Sequence, residues 1–144
     1  MQTIFKMGIL DVQPSQLFIS EMKLKKVLEW LDYKNIAYYQ PIPVKKLNGK
    51  IIFTDGHTRA FALFKMGIKD IRCTWDEDNL NWEAYQICVD WCMEDGISNI
   101  SHLEQKVINK DSYEILWCDR CKKMHEKMEE KEVSKSDFIG EYDG

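Results

Sequence analysis

No run of apolar residues in this 144-residue chain approaches the ~20 that a membrane-spanning helix needs. The first ten residues carry one lysine and no apolar core followed by a small-residue cleavage site, so no secretory signal is expected. Positive charge is also short: 20 Lys and Arg stand against 24 Asp and Glu, a formal net charge of −4. Proteins that neutralise phosphates along a duplex need the opposite balance, so DNA is not expected as a partner by itself. A local basic patch could still hold one nucleotide. The five cysteines are an odd number without the spacing of a secreted disulfide scaffold, and the cytoplasm is the expected compartment. The three prolines all fall in the first third, and no Gly/Ser/Pro-rich linker or internal repeat divides the chain.

What is present is ordinary globular material, 44% apolar and 31% charged, sufficient for one compact domain. The first half mixes strand and helix signals and the second is almost wholly helical, with a seam at Asp76-Glu77-Asp78. Ile9–Val12 reads as a strand ended by Pro14-Ser15. Ser20 caps a helix with Glu21 in its first turn, and Leu24, Val27, Leu28 and Leu31 share one face. Asn48-Gly49 between apolar runs signals a hairpin that returns through Ile51-Ile52-Phe53. Thr58–Met66 reads as a helix stopped by Gly67, and Ile68–Trp75 as a strand. Three helical signals follow: Asn81 ahead of the stripe Tyr85, Cys88, Val89 and Cys92; then Ser101-x-x-Glu104; then Asp111-x-x-Glu114. The last helix presents Tyr113, Trp117, Cys121, Met124 and Met128 on one side. The expected fold is mixed α/β (α+β): a small twisted sheet or partial barrel with packed helices over residues 1–75, a helical C-terminal extension over 76–130, and a polar tail over 131–144.

The hairpin delivers the chain directly to Thr54-Asp55-Gly56-His57-Thr58-Arg59. A strand that stops at Asp-Gly and begins a helix within two residues aims several backbone N–H groups the same way, which favours an anion such as phosphate. Gly56 permits a tight turn and close approach of a ligand. Thr58 supplies a hydroxyl, and Arg59 a planar fork for two phosphate oxygens. His57 donates or accepts according to its tautomer. Asp55 suits a magnesium ion or the proton of a substrate hydroxyl. The same residues also describe a plain turn, with Thr58 as a cap and Arg59 as a surface partner for an acid. The loop has no P-loop lysine and no triple-glycine fingerprint, so the residues alone leave both readings open.

Gln40-Pro-Ile-Pro-Val44, Asn48-Gly49, the run from Ile51 to Leu63 and Met66-Gly67 together resemble the core of the ParB/sulfiredoxin superfamily. The likeness covers roughly residues 8–75. It implies a loop and helix that cradle nucleotide phosphates, of CTP in partition proteins, ATP in sulfiredoxins and ADP in the free serine kinase branch. Several positions depart from those patterns. Aligned on the arginine, His57 stands where sulfiredoxins carry their reactive cysteine, so sulfinic acid reduction is not implied. Gly56-His57-Thr58-Arg59 keeps only the glycine and last arginine of the partition-protein loop, and the chain lacks room for that group's DNA-binding and dimerisation segments. Asp55-Gly56-His57-Thr58-Arg59 follows the serine-kinase loop Asp-Gly-His-His-Arg at four of five positions. The catalytic glutamate of that branch falls at about Gln16, and Glu21 substitutes for it only if the loop folds back.

Cys118-x-x-Cys121 with His125 resembles half a zinc site on a continuous helix, completed by Cys88 and Cys92 only if two helices cross there. Those cysteines equally suit apolar stripes, and zinc is not expected. Most of the five tryptophans are expected in the core, with Trp75 or Trp82 as a candidate platform for a base. Lys45, Lys46 and Lys50 cluster on the hairpin, where lysine commonly defends an edge. Two functions from different classes follow. One is a nucleotide-binding protein acting as a phosphotransferase on a small hydroxyl compound, with ATP, ADP or CTP and magnesium. The other is a non-catalytic binding or regulatory module whose helical half meets a protein partner.

Overall fold

The computed structural model describes the backbone of residues 3–143 and the side chains of residues 3–132. Its main sheet has four strands in the order β1-β5-β3-β4: β1 is Ile4–Gly8, β3 Ile42–Leu47, β4 Lys50–Phe53 and β5 Asp70–Trp75. β1 and β5 are antiparallel, β5 and β3 parallel, and β3 and β4 antiparallel. A second, two-stranded parallel sheet joins β2 (Ile19–Ser20) to β6 (Val107–Ile108). The helices are α1 (Glu21–Trp30), α2 (His57–Lys65), α3 (Trp82–Glu94), α4 (Lys110–Tyr113) and α5 (Asp119–Asp143). The architecture is mixed α+β, and among the described residues no helix is long and apolar enough to cross a membrane.

The β3–β4 turn follows from two residues. Asn48 and Gly49 both hold positive φ, +50° and +82°, the pairing a two-residue hairpin needs to match strand twist. α1 is capped by the Ser20 hydroxyl, which accepts the Lys23 amide at 3.3 Å. α2 ends in a Schellman turn, with Gly67 N–H bonded to the Phe64 carbonyl and Ile68 N–H to that of Leu63. α3 begins where Asn81 accepts the Ala84 amide at 3.1 Å and ends before Gly96, at φ +76°.

Several expectations shift. The first strand lies at Ile4–Gly8 rather than Ile9–Val12. Ile9–Asp11 forms a 3-10 turn, and Gln13 makes a single bridge to Ile52. Ile9 and Val12 are apolar because they enter the core, not because they pair. Leu28 is 45% exposed although it shares a stripe with buried Leu31, since α1 lies on the surface and buries none of its own residues. The Ser101 signal belongs to a 3-10 segment, Ile100–Lys106, capped two residues earlier by Asn99. A wide π turn, Glu114–Cys118, joins α4 to α5. The backbone of α5 continues to Asp143 through the stretch expected as a tail; side chains from 133 onward lie outside the described residues.

One apolar core runs through both halves. Val12, Ile42, Val44, Phe53 and Phe61 belong to the same cluster as Cys92, Ile97, Leu103 and Trp117. The buried Gln13 amide adds a polar tie, donating to the carbonyls of Pro14 at 2.9 Å and Ile97 at 2.8 Å.

Candidate functional site

β4 ends at Phe53, and the chain turns into α2 through Thr54, Asp55 and Gly56. Gly56 takes the left-handed conformation, φ +75°. A Cβ there would stand 3.0 Å from an Arg59 nitrogen and 3.3 Å from Ile42 Cγ2, so the backbone favours glycine and the space beside it is tight. Asp55 Oδ1 accepts the Gly56 amide at 2.8 Å. No side chain caps α2, and its first helical bond runs from Ala60 N–H to the Gly56 carbonyl at 2.9 Å. The first-turn amides of α2 thus have no side-chain cap. The Arg59 guanidinium lies beside Gly56 and donates to the Gln40 carbonyl at 2.9 Å. Of this loop Asp55 and Arg59 line the larger adjoining cavity, and Gly56 does not.

Two cavities meet at this loop. The larger, about 670 Å³, is lined by Gln40, Pro41, Pro43, Arg59, Trp75 and the acids Asp55, Asp76, Glu77 and Asp78, among others. The smaller, about 350 Å³, is lined by Gln16, Asp55, His57, Tyr85, Trp117, Cys121 and His125, among others. Asp55 faces both.

The ridge between the cavities is braced. Thr54 Oγ1 donates to Asp76 Oδ2 at 2.6 Å, Tyr85 donates to the Thr54 carbonyl at 2.9 Å, and Asp76 Oδ1 accepts the Asp78 amide at 3.0 Å. Tyr85 comes from the second half of the chain and Thr54 from the first, so α3 holds the loop in place.

His57 has a different part from the one its neighbours suggest. It is 4% exposed, and its Nε2 accepts the Ser15 amide at 2.9 Å, which assigns the ring proton to Nδ1. Phe53 packs edge-on to it, with ring centroids 5.4 Å apart. Burial brings its pKa down to about 4, against an opposing pull from Asp55. At neutral pH the ring is uncharged, so it fixes the Ser15 segment rather than supplying a cation. Thr58 is half-buried in the first turn of α2 and lines neither cavity.

Glu21 is exposed at the start of α1 and lines neither cavity. The loop does not fold back to bring it in, because the Ser20 cap starts α1 on the spot. Gln16 is the residue that reaches the smaller cavity, its amide donating to the Phe18 carbonyl at 2.8 Å and to the Tyr113 hydroxyl at 3.1 Å. Trp75 is 41% exposed, stacks on Phe5 at 4.8 Å and lines the larger cavity. Trp82 instead lies under Lys45, whose ammonium is 4.9 Å from the ring centroid. Among the five tryptophans only Trp117 is buried.

The cysteines divide. Cys121 and His125 line the smaller cavity with Cys88, while Cys118, the last residue of the π turn, does not line it. The Cys88 thiol is pushed up by its hydrogen bond with Cys121 and by burial, and burial pushes Cys92 up to about 12. Among the described residues no three His, Cys, Asp or Glu side chains are disposed to hold a metal ion.

A mixed four-stranded sheet, covered by helices and bearing an uncapped strand-to-helix loop between two cavities, defines the class of this protein at the level of fold. The same fold is found in the crystal structure of protein Atu1540 from Agrobacterium tumefaciens, at a TM-score of 0.52 and 17% identity. The likeness covers 72% of this chain and 63% of that one, so it spans less than two thirds of the neighbour's length. No protein-family model matches the sequence, and no curated protein matches it.

Proposed function

We propose that the chain binds a nucleotide in the larger cavity, phosphates toward Arg59 and the first turn of α2, base toward Trp75. The observation that carries this reading is the uncapped N-terminus of α2 with a left-handed glycine and an arginine fork beside it. A volume of about 670 Å³ suits a ligand of that size. The resemblance of the Asp55–Arg59 loop to the ParB/sulfiredoxin superfamily supports the same ligand class.

The cavity's charge sets a condition. Four carboxylates and one guanidinium line it, a balance that repels a bare polyphosphate. Magnesium resolves the conflict, because it binds through one or two carboxylates and the substrate's own phosphates while keeping several waters. Asp76 already uses both oxygens and Asp55 Oδ1 takes the Gly56 amide. One or two carboxylates drawn from Asp55, Glu77 and Asp78 would therefore hold the ion, the rest of its shell being phosphate and water. A bound magnesium would neutralise phosphate charge. In the phosphotransferase form of the reading Asp55, which lines the smaller cavity as well, acts instead as the base that takes a proton from a small hydroxyl compound there, and the ion is left to the other acids.

A second reading, a nucleotide-sensing module without catalysis, is favoured by one observation. Gln16 stands where the serine-kinase pattern has its glutamate, and Glu21 lines neither cavity.

Calorimetric titration with ATP, ADP and CTP, with and without magnesium, tests the shared core of both readings. Micromolar, magnesium-dependent binding that Arg59→Ala weakens at least about tenfold is expected, as for loss of a charged phosphate contact. Absence of binding to all three, or affinity indifferent to Arg59→Ala, overturns it.

A further inference from the structure

A third cavity, about 370 Å³, lies away from the loop, between α3 and α5. Its apolar surface comes from Ile87 and Trp91 on α3 and Met124 and Met128 on α5. Each pair is spaced one helical turn apart, so the two helices present parallel apolar rows. Trp91, late in α3, meets Arg120 at the start of α5, the guanidinium 4.1 Å from the ring centroid.

The rim is the unusual part. Lys123, Lys127 and Lys131 recur at four-residue spacing along α5, and Arg120 precedes them. At 1.5 Å per residue the three ammonium groups span about 12 Å along the helix. Glu83 is the one acid lining the groove. Among the described residues none of these four cations takes part in an ion pair. The groove's own lining thus carries four cations against one carboxylate, on a chain whose net charge is −4.

We infer that this groove docks an acidic amphipathic helix of a partner protein. Charge complementarity selects the occupant. Cations strung along one wall at one-turn intervals match carboxylates repeating at i, i+4 on a facing helix, whereas a small anion needs its cations to converge. The walls are helical side chains with no free sheet edge, so an extended segment finds no backbone partners, while a helix can lay apolar residues at i, i+3 and i+4 onto the floor. Two methionines in that floor suit a surface that adapts to the incoming side chains. Single-stranded nucleic acid would want the face of Trp91 for stacking, and Arg120 covers it. The inference goes beyond the nucleotide reading and involves none of the residues lining the loop's larger cavity.

The test uses the full chain and a designed, fluorescently labelled helical peptide with leucines at i, i+3, i+4 and i+7 and glutamates along one flank. Fluorescence anisotropy should show binding that weakens with added salt. The Lys123→Glu/Lys127→Glu variant should bind at least about tenfold more weakly. A peptide with lysines replacing the glutamates should reverse that preference, preferring the variant, which also shows that the variant is folded. Equal binding of acidic and basic peptides, or affinity unchanged by the double substitution, overturns the inference. So does tighter binding of a labelled oligo-dT, or ultracentrifugation showing the groove's cations consumed in a dimer that Lys127→Glu dissociates. Nucleotide titration of the same variant should match wild type, so that failure here is distinguishable from failure at the loop.

Discussion

His57 shows how far a residue's type underdetermines its part. Beside Gly56 and Arg59 it reads as a phosphate ligand, yet the fold buries it and spends its Nε2 on the Ser15 amide. The consequence is a pH dependence of stability. The unfolded ring titrates near its ordinary 6.5 and the folded ring near about 4, so below 6.5 protons bind the unfolded chain preferentially. The stabilisation is complete above 6.5 and drains away as pH falls toward 4, amounting to roughly 3 kcal/mol at 1.36 kcal/mol per pH unit. Urea unfolding between pH 7 and 4.5 should therefore show a steeper loss for wild type than for His57→Gln. Parallel curves would rule the mechanism out. Asp55, Gly56 and Arg59 were legible as a loop because their neighbours in sequence are their neighbours in space. The acids at 76–78 that face them, and Tyr85 that braces Thr54, were not, since only the tertiary fold brings them there.

Elements whose ends are set locally were the legible ones. Asn48-Gly49 made the hairpin, Gly67 ended α2, and Asn81 began α3, each through a backbone conformation or a cap that a few residues decide. Asn81→Ala should cost about 1 kcal/mol, the usual worth of a side-chain cap, read as a lower denaturant midpoint with an unchanged slope. No shift would mean that the packing of Ala84, Cys88 and Val89 alone holds the first turn. Elements defined by distant partners were the illegible ones. β1 is an edge strand with no fully buried residue, β6 is two residues long and is defined by its pairing with β2, and the π turn has no composition of its own.

At the scale of the whole molecule, the two halves share one core and are tied by polar contacts, among them the β2–β6 pair and the Gln13–Ile97, Gln16–Tyr113 and Tyr85–Thr54 bonds. A fragment ending at Trp75 would leave the Gln13 amide with one acceptor fewer and would strip Ile97, Ile100 and Leu103 from the cluster that holds Phe61 and Leu63. Such a fragment should unfold without a cooperative transition and bind a dye for exposed apolar surface, whereas the full chain should melt in one step. A sharp transition in the fragment would show that the first half is self-sufficient. The β2–β6 pair also has a bearing on biosynthesis. At ~5–20 residues per second, Ile19 leaves the ribosome several seconds before Val107 is made. Through that interval the nascent sheet and α2 wait with an open flank, a stretch of time in which a holding chaperone has something to hold.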